Sequence, residues 1–179
     1  MRPLWEHEKP AYILGMFIDV LVQELKMEYE PGGSVTLRRR RKSRGLEPDK
    51  CYWIASATKL AQKTHLDLQV DPPPDLAIEM DVTHSSLDRM SIYAALGVSE
   101  VWRVTSDGLT FNHLEAGVYQ VQPRSLAFPK LASSDLLPFL AQLGQKGTVA
   151  LIVHFRDWVQ QVLLPRHCQD TIVGDADMH

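Results

Sequence analysis

The stretch Pro74-Asp75-Leu76-Ala77-Ile78-Glu79-Met80-Asp81-Val82 decides how the rest of the chain is read. As a β-strand it puts Leu76, Ile78, Met80 and Val82 on one face and Asp75, Ala77, Glu79 and Asp81 on the other, because successive strand side chains point to opposite sides. Three carboxylates then share one side of one strand. Close like charges repel by roughly a kcal/mol or more per pair at an effective dielectric of about 20. Water, a cation or a proton must relieve them. A divalent-metal site is one reading, and a carboxylate face turned to solvent is the other; periodicity leaves both open.

Working outward, Asp71-Pro72-Pro73-Pro74 stiffens the approach to this strand, since each proline fixes its own φ and restricts the residue before it. On the far side, Ser85-Ser86-Leu87-Asp88 has the form of a helix N-terminus, and Leu87, Met90, Tyr93, Ala94 and Leu96 continue as one helical face closed by Gly97. Glu100 to Val104 then reads as a strand, which makes a β-α-β unit. Upstream, Cys51-Tyr52-Trp53-Ile54-Ala55 reads as a strand after the Pro48-Asp49 turn, with Asp49 at its mouth. Residues 56 to 70 are polar and poorly periodic.

Nearer the N-terminus, Ile13, Phe17, Val20, Leu21 and Leu25 predict a first helix over residues 11 to 29, stopping near Pro31-Gly32-Gly33. Ser34 to Leu37 follows as a strand, and Arg38 to Arg44 as an exposed turn. After the β-α-β unit, Leu109 to Leu114 and Val118 to Gln122 form a hairpin around Ala116-Gly117. Two helices close the chain, Asp135 to Leu143 and Val149 to Leu164, the second with an apolar stripe at Leu151, Phe155, Trp158, Val159 and Val162. No internal repeat is visible.

The 179 residues and 45% apolar content suit one soluble domain, and a net charge of -3 gives no global pull toward nucleic acid. Only Cys51 and Cys168 are present, too few for a disulfide framework. No signal-peptide h-region and no apolar run of the roughly 20 residues a membrane span needs is found, so a cytoplasmic location and no membrane partner are expected. The seven histidines lack H-x-x-x-H spacing, and no G-x-S-x-G or phosphate loop occurs, so zinc protease, serine hydrolase and P-loop readings lack support.

A metal-dependent phosphodiesterase needs carboxylates from separate elements converging on one cation, plus a group that handles charge on the scissile phosphate. Glu79 and Asp81, at i and i+2, face one cleft, and Asp49 joins them if its strand pairs alongside. Oxygen-only ligands favour Mg2+ or Mn2+ over zinc. Arg89, about one turn before Tyr93, is placed to reach back to the cleft; a surface helix arginine is the alternative. Arg38, Arg39, Arg40, Arg41, Lys42 and Arg44 are candidates for gripping DNA phosphates, although such runs are usually solvated loops.

Laid out this way, the chain resembles the Uma-two family of restriction-endonuclease-like proteins, a bacterial branch of the PD-(D/E)XK nuclease superfamily. The resemblance rests on Glu47 to Ile54, on Asp71 to Glu79, and on Ile92-Tyr93-Ala94-Ala95-Leu96-Gly97-Val98-Ser99-Glu100-Val101-Trp102, with a weaker echo in Gly117 to Tyr119 and Ser125 to Pro129. It implies an α+β fold with an α-β-β-β-α-β core, a mixed sheet flanked by helices, followed by a C-terminal hairpin and helices. One domain over 1–179 is expected, with its core at about 11–105, the hairpin and helices at about 106–164 and a tail at 165–179. Pro48-Asp49 looks like the PD element and Glu79 like the acid of the (D/E)-x-K strand.

The resemblance further implies that Asp49 and Glu79 hold a divalent metal with help from the Met80 carbonyl. Asp81 occupies the place of the motif lysine, and an acid cannot replace an ammonium. The family often carries the lysine on the next helix, where the matching position here is Arg89. Arginine keeps the charge but scarcely deprotonates, so it orients water or stabilises phosphate rather than accepting a proton. The expected activity is a Mg2+-dependent deoxyribonuclease acting on double-stranded DNA. A catalytically silent relative that binds nucleic acid or a protein partner is the alternative. A homodimer through the C-terminal amphipathic helix is a third expectation, although such helices are more often core.

Overall fold

The computed structural model describes residues 5–37, 46–81 and 89–166. Six strands form one sheet in chain order: β1 (Glu30–Gly33), β2 (Lys50–Trp53), β3 (Leu76–Met80), β4 (Glu100–Thr105), β5 (Gly108–Glu115) and β6 (Val118–Gln122). Neighbours run antiparallel except β3 and β4, which are parallel. A parallel pair needs a long crossover, and α2 (Arg89–Leu96) lies on it. The expected β-α-β unit is therefore present, inside a mixed α+β architecture.

The alternation along β3 sorts the core into two layers. Leu76 and Ile78 pack with Ile13, Leu14, Phe17, Leu21 of α1 (Trp5–Glu24) and with residues of α3 (Ser133–Leu140) and α4 (Thr148–Trp158). Ala77 faces the other way, toward Ile92, Tyr93 and Leu96 of α2. Both faces of β3 are thus covered, and Glu79 is buried on the α2 side. The reading of that face as solvent-exposed does not hold for Glu79. Gly97 ends α2 in the left-handed conformation, φ +84°, as its place after the helical face foretold.

Several boundaries differ from expectation. The first helix ends at Glu24 rather than 29, because Lys26 adopts φ +54° and the Met27 N–H reaches back to the Val22 carbonyl at 2.8 Å. A left-handed cap on lysine carries no glycine signal. The strand expected at Ser34 to Leu37 lies earlier, at Glu30–Gly33, so Pro31-Gly32-Gly33 is strand and not turn. Proline is tolerated there because β1 is an edge strand. Leu37 still pairs with Leu46 through N–H to carbonyl bonds of 2.8 and 3.1 Å.

Gly32 is required by packing. A Cβ there would meet the Trp53 ring at 2.5 Å and the Cys51 sulfur at 2.6 Å, with Cys51 and Trp53 themselves buried. Gly32→Ala is therefore expected to destabilise by about 1–3 kcal/mol, as overpacking does. The check is a lower urea midpoint with an unchanged m-value.

The hairpin turns at Ala116 and Gly117, both at positive φ, as the expected turn requires. The C-terminal helix runs from Thr148 to Trp158 and continues as a π-helical turn, Val159–Leu163, in which the Leu164 N–H bonds the Val159 carbonyl. The wider turn shifts the phase, so Leu163 is buried and Val162 is exposed, reversing the expectation for Val162. Leu151, Phe155 and Val159 are buried in the layer shared with α1, so these three residues are core. Among the described residues no helix is long and apolar enough to cross a membrane.

Candidate active site

β2 and β3 pair with Lys50 opposite Ile78 and Cys51 opposite Ala77. One further step in that register sets Asp49 opposite Glu79, and residues directly opposite one another share a face. The Met80 N–H donates to Asp49 Oδ2 at 2.7 Å, which ties the Asp49 carboxylate to the strand carrying Glu79. Two acids distant in sequence thus meet at the open end of β2. The sheet supplies this meeting through backbone pairing alone.

Glu79 is only 4% exposed, and both of its oxygens are engaged. Arg89 Nε lies 2.5 Å from Oε1, and the Tyr93 hydroxyl donates to Oε2 at 2.7 Å. Arg89 and Tyr93 are four apart on α2, so they rise from the same helix face to the same carboxylate. Arg89 Nη2 also donates to the Glu47 carbonyl at 2.7 Å, fastening α2 to the Pro48-Asp49 segment. Burial pushes the Glu79 carboxyl above the usual glutamate range, and the Asp49 charge adds to that; the Tyr93 and Arg89 contacts oppose it. Burial and the Glu79 charge raise the Tyr93 phenol, so it stays a proton donor.

The third carboxylate stands apart. Asp81 is ion-paired with Arg103 of β4, whose Nε is 3.1 Å from Oδ2. Asp75 accepts from the Ile54 and Ser56 N–H groups at 2.7 and 3.1 Å and from the Ser56 hydroxyl at 2.9 Å, a loop-holding role. Among the described residues no set of three or more His, Cys, Asp and Glu side chains is close enough to enclose a cation. Asp81 is held by Arg103, and the two acids that stand together are Asp49 and Glu79. A pair suffices in kind for Mg2+, which typically uses one or two carboxylates and keeps waters and substrate oxygens for the rest. Asp49 and Glu79 are the residues that fit it.

Of the other expected site residues, Arg38, Arg39, Arg40, Arg41, Lys42 and Arg44 lie outside the described residues, as do Ser85 to Asp88. Arg89 is in the cleft, against the surface alternative. Tyr93, expected on the apolar face of α2, also carries its hydroxyl to Glu79, which the hydrophobic periodicity of that face does not reveal. Its spacing of four from Arg89 was the available signal. Arg103 had no such signal, since its meeting with Asp81 depends on the parallel pairing of β3 and β4.

The sequence model of the Uma2 family, described as "Putative restriction endonuclease", matches residues 1–145. The chain belongs to the Uma2 family. A "putative nuclease belonging to DUF820" from Anabaena variabilis is a structural neighbour at 14% identity and a TM-score of 0.49, covering 73% of this chain and 80% of its own. No curated protein matches. In this Uma2 chain the PD-like segment and the acid of β3 are the two elements that meet, and the likeness that suggested a nuclease is family membership.

Proposed function

We propose that this Uma2 protein is a Mg2+-dependent (or Mn2+-dependent) endonuclease that hydrolyses phosphodiester bonds of DNA, double-stranded DNA being its substrate. The reading is carried by the juxtaposition of Asp49 and Glu79 across β2 and β3. A divalent ion on these two acids, with the Met80 carbonyl beside them, would polarise the phosphate and lower the pKa of attacking water. Met80 orients Asp49 through its N–H, and Tyr93 fixes the rotation of Glu79 through Oε2. Arg89 is paired with Glu79, and its guanidinium stays charged at any working pH. Its role is to orient and to neutralise charge, while proton acceptance falls to solvent. Arg38 to Arg44 is assigned to phosphate contacts.

Purified protein is expected to nick supercoiled plasmid with millimolar Mg2+ and to stop in EDTA. Calorimetry is expected to show Mg2+ or Mn2+ binding that vanishes in Asp49→Ala. Glu79 must be ionised to bind metal, and its pKa is raised. Metal affinity is therefore expected to fall on acidification at a higher pH than it would for an ordinary glutamate ligand. A metal affinity that does not respond to acidification would contradict the role of Glu79.

One observation favours a second reading, a catalytically silent Uma2 protein that binds nucleic acid or a protein. Arg89 already neutralises Glu79, and Asp81 replaces the motif lysine and is itself paired. Absence of metal binding at millimolar concentration, together with DNA binding and no cleavage, would establish that reading.

A further inference from the structure

The acidic pair closes against α2, whereas an opening that Asp49 also lines lies toward α1. A cavity of about 530 Å³ is lined by Lys9, Tyr12, Ser34, Asp49, Lys50 and Thr148 among others. That volume falls within the roughly 300–1,000 Å³ of small-ligand sites. A second cavity of about 220 Å³ shares Tyr12 and Lys50 and extends past Asp19 to Tyr29 and edge strand β1. Together they form a groove between α1 and the β1 edge of the sheet. Asp49 is common to this groove and to the acidic pair.

The lining has an unusual chemical mixture. Tyr12 is 57% exposed, and the Lys50 ammonium lies over its ring, 5.7 Å from the centroid, so an exposed aromatic side chain is presented with a cation over one of its faces. Lys9 supplies a second cation, and Ser34 and Thr148 supply hydroxyls. Thr148 opens α4, whose first N–H groups have no acceptor within the helix. Two carboxylates also border the groove. Asp49 is tied to Met80, and Asp19 accepts the Tyr29 hydroxyl at 2.8 Å. A flat π face, two ammonium groups and hydroxyl donors match a base, its phosphates and its sugar.

We propose that this groove binds an unpaired nucleotide of the substrate strand next to the phosphate to be cut, with its base stacked on Tyr12 and its phosphates on Lys9 and Lys50. The polymer assignment rests on the nuclease reading. A duplex end or a locally opened duplex would supply the unpaired base. Stacking tolerates any base, so the groove adds affinity for strand type and little sequence preference.

The test uses the full chain in EDTA, where cleavage cannot occur, and a single-stranded thymidylate oligomer carrying one 2-aminopurine. Binding is expected to quench the fluorophore. Tyr12→Ala is expected to weaken binding about tenfold, as loss of one base–aromatic stack does, and to abolish the quench. Tyr12→Phe is expected to retain both, and Lys50→Met to weaken binding and flatten its salt dependence. Circular dichroism melts show whether each variant is folded.

The proposal is overturned if Tyr12→Ala and Lys50→Met, shown to be folded, bind within about twofold of wild type, because a stacked base and a phosphate contact are worth more. It is equally overturned if wild type fails to bind the single strand. These readings are independent of metal. Intact groove binding without Mg2+-dependent cleavage removes the catalytic reading alone, and intact cleavage with unchanged Tyr12→Ala binding removes the groove alone.

Discussion

Glu79→Ala is expected to abolish Mg2+-dependent cleavage of plasmid DNA, a loss of about 10³-fold or more if the metal supplies several kcal/mol at the transition state. The alanine variant also disturbs its surroundings. The Tyr93 hydroxyl, fully buried, loses its acceptor, and an unsatisfied buried donor costs about 1–3 kcal/mol. Arg89 keeps part of its solvation because its side chain is 31% exposed, and it keeps the Glu47 carbonyl. Glu79→Gln separates the two effects. The amide retains an acceptor for Tyr93 and the shape of the side chain, but it lacks the charge that holds a cation. Activity is expected to fall as far in Glu79→Gln as in Glu79→Ala, with a much smaller change in the melting temperature. Cleavage at wild-type rate by either folded variant would end the catalytic assignment.

Trp102→Ala is expected to be the most damaging single change to the fold, costing about 3–5 kcal/mol in urea unfolding. The indole is fully buried on β4, stacked on Phe111 at 4.7 Å between centroids and edge-on to Phe128 at 6.0 Å. Its Nε1 donates to Glu100 Oε1 at 2.9 Å. Glu100 is itself fully buried, and it holds the Ser125 hydroxyl at 3.0 Å and the Ala127 N–H at 2.9 Å, pinning the segment after β6 to the start of β4. For a domain of typical stability, about 5–15 kcal/mol, losing both the ring and the donor removes a large share.

Trp102→Phe isolates the hydrogen bond, since most of the ring remains. Burial raises the Glu100 pKa, opposed by the Ala127, Trp102 and Ser125 hydrogen bonds. Removing the indole donor raises it further. A raised folded-state pKa makes stability fall as pH rises through it, so the Trp102→Phe penalty should be largest where Glu100 is charged and shrink on acidification. A loss under about 1 kcal/mol in Trp102→Ala would contradict the packing described here.

The legible parts of the chain are those whose signals are local. The alternation along Leu76–Met80, the Gly97 stop and the Ala116-Gly117 turn each express a backbone preference within a few residues, and each stands where it was expected. Lys26 at positive φ and Pro31 within a strand were not legible. The first is held by a cap that reaches back to Val22, and the second is permitted only because β1 has a neighbour on one side. The same division runs through the site. Asp49 and Glu79 were readable as acids of a PD-like turn and an alternating strand, whereas the partners of Asp81 and Glu79 depended on how elements pack.

From the order of residues alone came the types of chemistry available: acids at Asp49, Glu79 and Asp81, a permanent cation at Arg89, and a strand with two distinct faces. Tertiary structure alone decided that Asp49 and Glu79 stand side by side, that Arg103 holds Asp81, and that Tyr93 and Arg89 occupy Glu79. The physical reason is that side-chain type and strand alternation are properties of neighbouring residues. The register between strands, and the charge each acid therefore faces, is settled only when sheet and helices close over a common core.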